Sequence, residues 1–332
     1  MSHLNLNGKT AVVTGASGYI GSILVDALLK HSCKVVQISR SNLGSSGQTK
    51  TINADICNED TWANIVQQAD IIYHLAGNTS VYEAAKNPTE SLRSTLLPLN
   101  HLTKVAKEMQ RKPRVVFAST ATVYGLTSRL PVSETLVPKP TTIYDLHKLF
   151  AEQQIDLATQ QDTIESVSLR LANVYGPSKS GSSANDRGVL NKITANALQG
   201  KDLMVYGDGN YLRDYVYITD VVNALLVAGA TPGLNGGIYN VASGVGNTVK
   251  SAFELVASQA ELITGKSLTV NFEKCPPGVA PIEFRDFTAD ISKYTAATGW
   301  RPVVNLSEGI ALLLAELTHG GAVSSSNSNT EN

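Results

Sequence analysis

Through the first half of the chain, apolar residues fall into short unbroken runs separated by stretches of helical spacing. The runs are Thr10–Thr14, Lys34–Ser39, Thr49–Asn53, Asp70–Leu75 and Arg114–Ser119. Within them Ala-Val-Val, Val-Val and Arg-Val-Val-Phe are continuous rather than alternating, as in strands covered on both faces. Gly18–His31 instead places Ile20, Ile23, Leu24, Ala27 and Leu28 on one face of a helix. Pro88–Arg111 and Thr142–Gln160 read as two long helices. Such alternation implies βαβ units and a parallel sheet, with the two long helices side by side on one of its faces.

Val167–Leu171 is a further strand, after which the pattern loosens. Gly176–Gly188, rich in Gly, Ser, Pro and Asn, reads as a loop. Helices resume at Val189–Gln199, Thr219–Ala228, Val249–Leu262 and Leu306–Leu317, and Gly237–Val241 would return to the sheet. The expected fold is α/β: a doubly wound parallel sheet with a smaller, irregular C-terminal lobe for substrate. The sheet domain takes residues 1–174 plus about 215–243, and the lobe 175–214 plus 244–318. Residues 319–332, dominated by Ser, Asn and Gly, are expected to form a disordered tail.

Composition narrows the partners. The 332 residues are 42% hydrophobic and 17% charged, with a net charge of −1. That suits a globular core and leaves no basic excess for a nucleic-acid backbone. Cys33, Cys57 and Cys275 are far apart and odd in number, so reduced thiols are expected rather than a disulfide framework. No His-Glu-x-x-His pair occurs, and no metal is expected. No signal peptide is expected, and no apolar run reaches membrane-spanning length. A cytoplasmic protein without a membrane partner is the expectation.

The first strand runs into Gly15-Ala16-Ser17-Gly18-Tyr19-Ile20-Gly21 and then a helix. Gly15 would let the chain turn sharply, and Gly18 would admit a pyrophosphate to the helix N-terminus. Gly21 would permit close helix–strand packing. A plain tight turn needs no more than this, but the strand–turn–helix context points to a dinucleotide. Asp55, after the third strand, would accept the adenine amino group; a loop cap suits it nearly as well.

Tyr144 and Lys148 are four apart and share a helix face. A free phenol has a pKa of roughly 10. A lysine ammonium and an oxidised nicotinamide would both lower it, fitting Tyr144 to exchange a proton with a sugar hydroxyl or ketone. Thr120 sits at the carboxyl end of the strand Arg114–Ser119, over the crevice where α/β sheets bind ligands. It would hydrogen-bond the reacting oxygen, or merely cap a turn.

With these residues in place, the chain resembles the extended short-chain dehydrogenase/reductase family, in its nucleotide-sugar epimerase/dehydratase branch. The resemblance spans about residues 8–318. It is carried by Thr14–Gly21, His74-Leu75-Ala76-Gly77, Ser119–Gly125, Tyr144–Lys148, Leu169–Pro177 and Val205–Tyr217. It implies a catalytic set of Thr120, Tyr144 and Lys148, with Lys148 also on the nicotinamide ribose. It implies cofactor contacts from Gly15, Ser17, Gly18, Tyr19, Ile20 and Gly21, from Asp55 and Ile56, and from Leu75, Ala76 and Gly77. For a nucleoside-diphosphate sugar it implies Asn173 and Arg213 on the phosphates, Leu203–Tyr206 (with Met204 and Tyr206) at the base, and Leu190 nearby. Arg285 is a second diphosphate candidate; a surface salt bridge is the plainer use of either arginine. Homodimerisation through the two long helices is implied as well.

Departures from the family pattern narrow the reaction. Related dehydratases carry Asp-Glu after the catalytic hydroxyl, and related decarboxylases a Glu nearby; here Ala121-Thr122 follows Thr120. Ser119–Gly125 most resembles UDP-sugar 4-epimerases. The second strand, however, ends Ser39-Arg40-Ser41, without the Asp that accepts both ribose hydroxyls of NAD. Ser39 and Arg40 suit a 2′-phosphate, unless Arg40 is a solvated loop residue. Both NAD and NADP(H) therefore stay open, with NADP(H) the better fit to Ser39-Arg40. A 4-epimerase and an NADPH-dependent 4-keto-6-deoxysugar reductase both remain. A non-catalytic binding or sensor protein is the third reading, against which the intact Thr120/Tyr144/Lys148 set speaks. Thr95 and Pro98 replace the family's Asn and Gly in the first long helix, and Pro98 is expected to kink it.

Overall fold

The unbroken apolar runs form strands. They are β1 (Thr10–Thr14), β2 (Lys34–Ser39), β3 (Thr49–Asn53), β4 (Ile71–His74), β5 (Arg114–Thr120) and β6 (Glu165–Leu171). Further along lie β7 (Asn173–Tyr175), β8 (Leu203–Tyr206), β9 (Leu212–Tyr217), β10 (Gly237–Val241), β11 (Gly246–Thr248) and β12 (Val270–Glu273). The helices are α1 (Tyr19–Lys30), α2 (Glu59–Gln68), α3 (Val81–Lys86), α4 (Pro88–Glu108) and α5 (Ile143–Gln160). They continue with α6 (Val189–Leu198), α7 (Ile218–Ala230), α8 (Val249–Thr264), α9 (Ser292–Thr298) and α10 (Leu306–Ser325). The computed structural model describes residues 4–41, 43, 47–179 and 188–325, with side chains as far as 318.

Seven strands make one parallel sheet in the order β10-β6-β5-β4-β1-β2-β3. Successive residues of a strand point to opposite faces, and both faces are covered. Val13 and Val116 face Leu24 and Leu28 of α1 and Val221 and Leu225 of α7. Their neighbours Val12 and Val115 face Trp62 and Ile65 of α2, Leu99 and Leu102 of α4, and Ile155 of α5. Helices α4 and α5 lie together on that second face, tied by Ser91 Oγ to His147 Nδ1 at 2.9 Å and by Gln154 Nε2 donating to Asn100 Oδ1 at 2.8 Å. The strand order reverses between β1 and β4, which opens a crevice at the carboxyl ends of the sheet.

A second core lies beyond the sheet. Helices α6, α8 and α10 enclose Leu190, Ile193, Phe253, Val256, Ile310 and Leu313. They pack on β7-β9-β11 and the β8–β12 pair. Tyr19, Ile20 and Ile23 of α1 touch this core too, so the start of the first helix joins both regions.

One boundary is corrected. The α10 backbone runs to Ser325, beyond residue 319, where the tail was expected to begin. Residues 326–332 and the middle of the expected loop, 180–187, lie outside the described residues. Helix α4 runs through Pro98, which is itself buried among the packed residues. Lacking an N–H, Pro98 cannot bond the Ser94 carbonyl one turn back. That oxygen would lie 3.8 Å from a Cβ placed on Gly77, in the wall of the crevice.

Candidate active site

The crevice is a cleft of about 740 Å³. Its floor is the turn from β1 to α1. Gly15 has a φ of +69°, and a Cβ there would stand 2.9 Å from the Ala76 nitrogen. A Cβ on Gly21 would run into the Gly15 carbonyl. Gly18 caps α1 with no side-chain bond to its first N–H groups, leaving them for an anion. These features fit a bound dinucleotide diphosphate. Gly21→Ala should therefore weaken dinucleotide binding about 10-fold or more, since forced overpacking costs about 1–3 kcal/mol. Fluorescence titration reads this, and an affinity equal to wild type would refute the packing.

All the expected cofactor residues border this cleft. Ser17, Tyr19 and Ile20 lie with the three glycines, and Leu75, Ala76 and Gly77 form the opposite lip. Thr14 Oγ1 holds that lip, 3.0 Å from His74 Nδ1 and accepting from the Ala76 N–H at 3.2 Å. Burial and the Lys148 charge push the His74 pKa down to about 3, so this imidazole is neutral. Ser39 Oγ donates to Ser17 Oγ at 3.0 Å, and Arg40 is exposed at the rim. Asp55 and Ile56 lie at the far end. Asp55 Oδ1 accepts from the Cys57 N–H at 2.9 Å, so the carboxylate caps its turn while it borders the cleft. Arg93, which sequence reasoning missed, stands there 3.9 Å from Asp55 and in a 2.8 Å ion pair with Glu90.

At the other end, Thr120, Tyr144 and Lys148 come together. Thr142 caps α5 by accepting from the Asp145 N–H at 3.2 Å, worth about 1 kcal/mol. This places Tyr144 in the first turn. Its hydroxyl hydrogen-bonds Thr120, which lowers the phenol's pKa, but burial and the neighbouring Asp145 charge outweigh that and raise it. Lys148 is buried beneath, its Nζ donating to the Ala118 carbonyl at 2.9 Å and 4.9 Å from the Phe117 ring centre. Burial pushes its pKa down to about 8, against the opposing charge of Glu152. Thr120 Oγ1 also lies 2.9 Å from Thr122 Oγ1 and accepts from the Thr122 N–H at 3.2 Å. The turn-capping and site-facing roles of Thr120 thus coexist.

The residues expected to meet the nucleotide are divided. Arg213 and Arg285 are 5% and 8% exposed, not the surface salt bridges that were the plainer alternative. Arg213 donates to the carbonyls of Leu212, Glu283 and Arg285. Arg285 keeps Nε without a partner. Burial, joined by the neighbouring Arg213 charge, pushes the Arg285 pKa down to about 10. Asn173 Oδ1 and Tyr215 Oη are likewise buried without hydrogen bonds. The two guanidinium charges, with the unused donors Arg285 Nε and Tyr215 Oη, suit a dianionic ligand. Strand alternation in β8 turns Met204 and Tyr206 outward but buries Leu203 and Val205 in the second core, correcting Leu203 as a base contact. Leu190 is corrected too. At 2% exposed it faces the same core, because the apolar side of α6 turns inward. No cluster of metal-ligating residues occurs among the described residues, and no described helix is long and apolar enough to cross a membrane.

Comparison with known proteins agrees with this architecture. The chain is 28% identical to a UDP-glucose 4-epimerase of Mycolicibacterium smegmatis over 90% of its own length and 96% of that protein. It is 28% identical to UDP-glucuronic acid decarboxylase 1 of Xenopus tropicalis, over 91% of this chain and 70% of that one. The crystal structure of UDP-glucuronic acid 4-epimerase from Bacillus cereus, in complex with UDP-glucuronic acid and NAD, superposes with a TM-score of 0.79 at 29% identity. That match covers 93% of this chain and 99% of the other. The profile of the NAD dependent epimerase/dehydratase family matches residues 11–242. With that match across its sheet, glycine loop and Tyr144–Lys148 helix, this chain belongs to the NAD-dependent epimerase/dehydratase family and is an enzyme of the extended short-chain dehydrogenase/reductase type.

Proposed function

We propose that this enzyme is a 4-epimerase of nucleoside-diphosphate sugars, with a UDP-sugar the best-supported substrate. The observation that carries this reading is the contact of Tyr144 with Thr120 above buried Lys148. It lies in a cleft continuous with the glycine loop. When bound, the dinucleotide takes up and returns the sugar hydrogen with its electron pair. Tyr144 holds or releases the proton of the sugar hydroxyl. Thr120 orients that oxygen, and the Lys148 charge favours the phenolate. Ala121 and Thr122 carry no carboxylate where elimination would require an acid and a base.

Arg213 and Arg285 would hold the substrate diphosphate. Arg213→Ala should weaken UDP binding roughly 10- to 100-fold, as expected for loss of a charged hydrogen bond. Calorimetric titration with UDP alone checks it, and undiminished affinity would move the diphosphate elsewhere.

A second reading rests on Arg40. It stands at the rim of the cleft after β2, with no carboxylate among residues 39–41. This suits NADP(H) and a one-way 4-keto-6-deoxysugar reductase. Denaturing the purified protein and identifying the released dinucleotide by mass spectrometry decides between the readings. Near-stoichiometric NAD supports the epimerase, which must keep its cofactor; an empty site that takes NADPH before NADH supports the reductase.

We infer further that α4 and α5 pair with their copies in a homodimer. Leu92, Phe150 and Leu157 on these helices are 47%, 42% and 54% exposed, an apolar surface of the kind that marks contacts. Light scattering of Phe150→Glu with Leu157→Glu should report monomers where the wild type gives dimers.

A further inference from the structure

Asp145 follows Tyr144 in the first turn of α5, and its carboxylate is fully buried. Neither carboxylate oxygen accepts a well-formed hydrogen bond. The hydroxyls of Thr122 and Thr142 lie beside it, and the Arg285 charge acts on it from the segment after β12. Thr122 Oγ1 in turn lies 2.9 Å from Thr120 Oγ1, and Thr120 touches the Tyr144 hydroxyl. A hydroxyl both donates and accepts, so two threonines in series form a path along which a proton can move. The path begins at the phenol and ends at the carboxylate. A buried carboxylate is costly when charged, and a proton relieves that cost.

We propose that Asp145 is the proton reservoir of Tyr144, joined to it through the hydroxyls of Thr122 and Thr120. This inference rests on the C4 oxidation proposed above. Tyr144 and Asp145 share a single negative charge, because two adjacent anions repel. At rest the charge sits on Asp145. Three shifts then move it: the Tyr144 proton passes to Thr120, the Thr120 proton to Thr122, and the Thr122 proton to Asp145. Each threonine keeps one proton, Asp145 gains one, and Tyr144 becomes phenolate. The sugar hydroxyl gives its proton to Tyr144 as the C4 hydrogen leaves with its bonding electrons to the bound nicotinamide dinucleotide. Reduction reverses every shift. The groups facing Asp145 are Thr122 from the turn after β5, Arg285 from the segment after β12, and Thr142 and Tyr144 from its own helix and cap. Burial raises the Asp145 pKa above the ordinary carboxylate value, which brings its protonated form closer to neutral pH. Asp145 acts through Tyr144 and is a positioning residue for the proton, not a group that meets the sugar.

The near-isosteric variants Asp145→Asn and Thr122→Val test this in two measurements on the dinucleotide-loaded protein. The first needs no substrate. Ultraviolet titration reads Tyr144 ionisation, with Tyr144→Phe identifying its signal. D145N should lower the Tyr144 pKa by about 1 unit or more, and T122V should leave it raised. The second follows reduced nicotinamide on mixing with UDP-glucose, UDP-glucuronic acid or UDP-N-acetylglucosamine across pH. The wild type should be nearly independent of pH around neutrality. Both variants should be about 10-fold or more slower there, with rates that rise as pH rises. If repulsion alone linked the two residues, D145N would gain activity at low pH and T122V would match the wild type; that pattern overturns the relay. Should the wild type reduce its dinucleotide with none of these sugars, the epimerase reading falls and the titration still decides. An unmoved Tyr144 ionisation in D145N overturns the reservoir on its own.

Discussion

Tyr144→Phe is expected to lower turnover by about 10²- to 10⁴-fold, the usual contribution of a positioned acid–base group, with dinucleotide affinity close to wild type. The phenol ring stays in the variant, so the wall of the cleft is kept; only the oxygen that contacts Thr120 is lost. Burial raises the Tyr144 pKa, and the Asp145 charge raises it further. The protein without a bound cofactor therefore holds the phenol protonated. In the proposed mechanism positive charge brings out the phenolate, and Lys148, one helical turn beyond Tyr144, is the cation that would supply it. Because its own pKa lies near 8, Lys148 loses that charge as pH rises through this value. Kinetic assays with a UDP-sugar and fluorescence titration with the dinucleotide separate the two quantities. Turnover within a few-fold of wild type would mean that another group carries the proton. A parallel loss of dinucleotide affinity would instead point to a disturbed cleft.

The parts of this site visible in the sequence are those made by local spacing. The glycine turn, Tyr144 and Lys148 each depend on one strand–turn–helix unit or one helical turn, and continuous Val and Ile runs mark the strands between covering helices. Asp145 escaped notice because its environment is assembled from afar, by Thr122 of a turn after β5 and by Arg285, 140 residues further along the chain. Its position between Tyr144 and Lys148, in the first turn of a capped helix, was the available signal. Arg213 and Arg285 converge across some seventy residues, bound through the Arg285 carbonyl, which no local pattern encodes. Leu190, which the resemblance placed near the base, faces the second core instead, since a motif does not fix which way a helix face turns. The short strands β11 and β12 likewise depend on partners: Gly246–Thr248 pairs with β9, and Val270–Glu273 with β8.

The largest stability effect is expected at Glu152, one turn beyond Lys148 on α5. Its carboxylate is 1% exposed and receives Arg170 Nε at 2.9 Å and Nη2 at 2.6 Å, together with the Ser119 hydroxyl. Arg170 is itself 3% exposed and lies over the Tyr124 ring at 4.7 Å. Glu152→Ala would leave that guanidinium buried with no counter-charge, which costs about 3–5 kcal/mol. The pair as a whole contributes much less, since burying both charges is itself expensive. Glu152→Met combined with Arg170→Met should therefore recover most of the loss, and the difference between single and double variants measures the orphaned charge. Activity separates from stability here. Glu152 is the charge that holds the Lys148 pKa up against burial. Without it the lysine falls below about 8 and is less protonated at neutral pH. The folded double variant should consequently regain its melting temperature but not its neutral-pH turnover, and its activity should improve as pH is lowered. Urea unfolding and a pH–rate profile on the same preparations test both halves. A loss below about 1 kcal/mol in Glu152→Ala would show that water reaches Arg170.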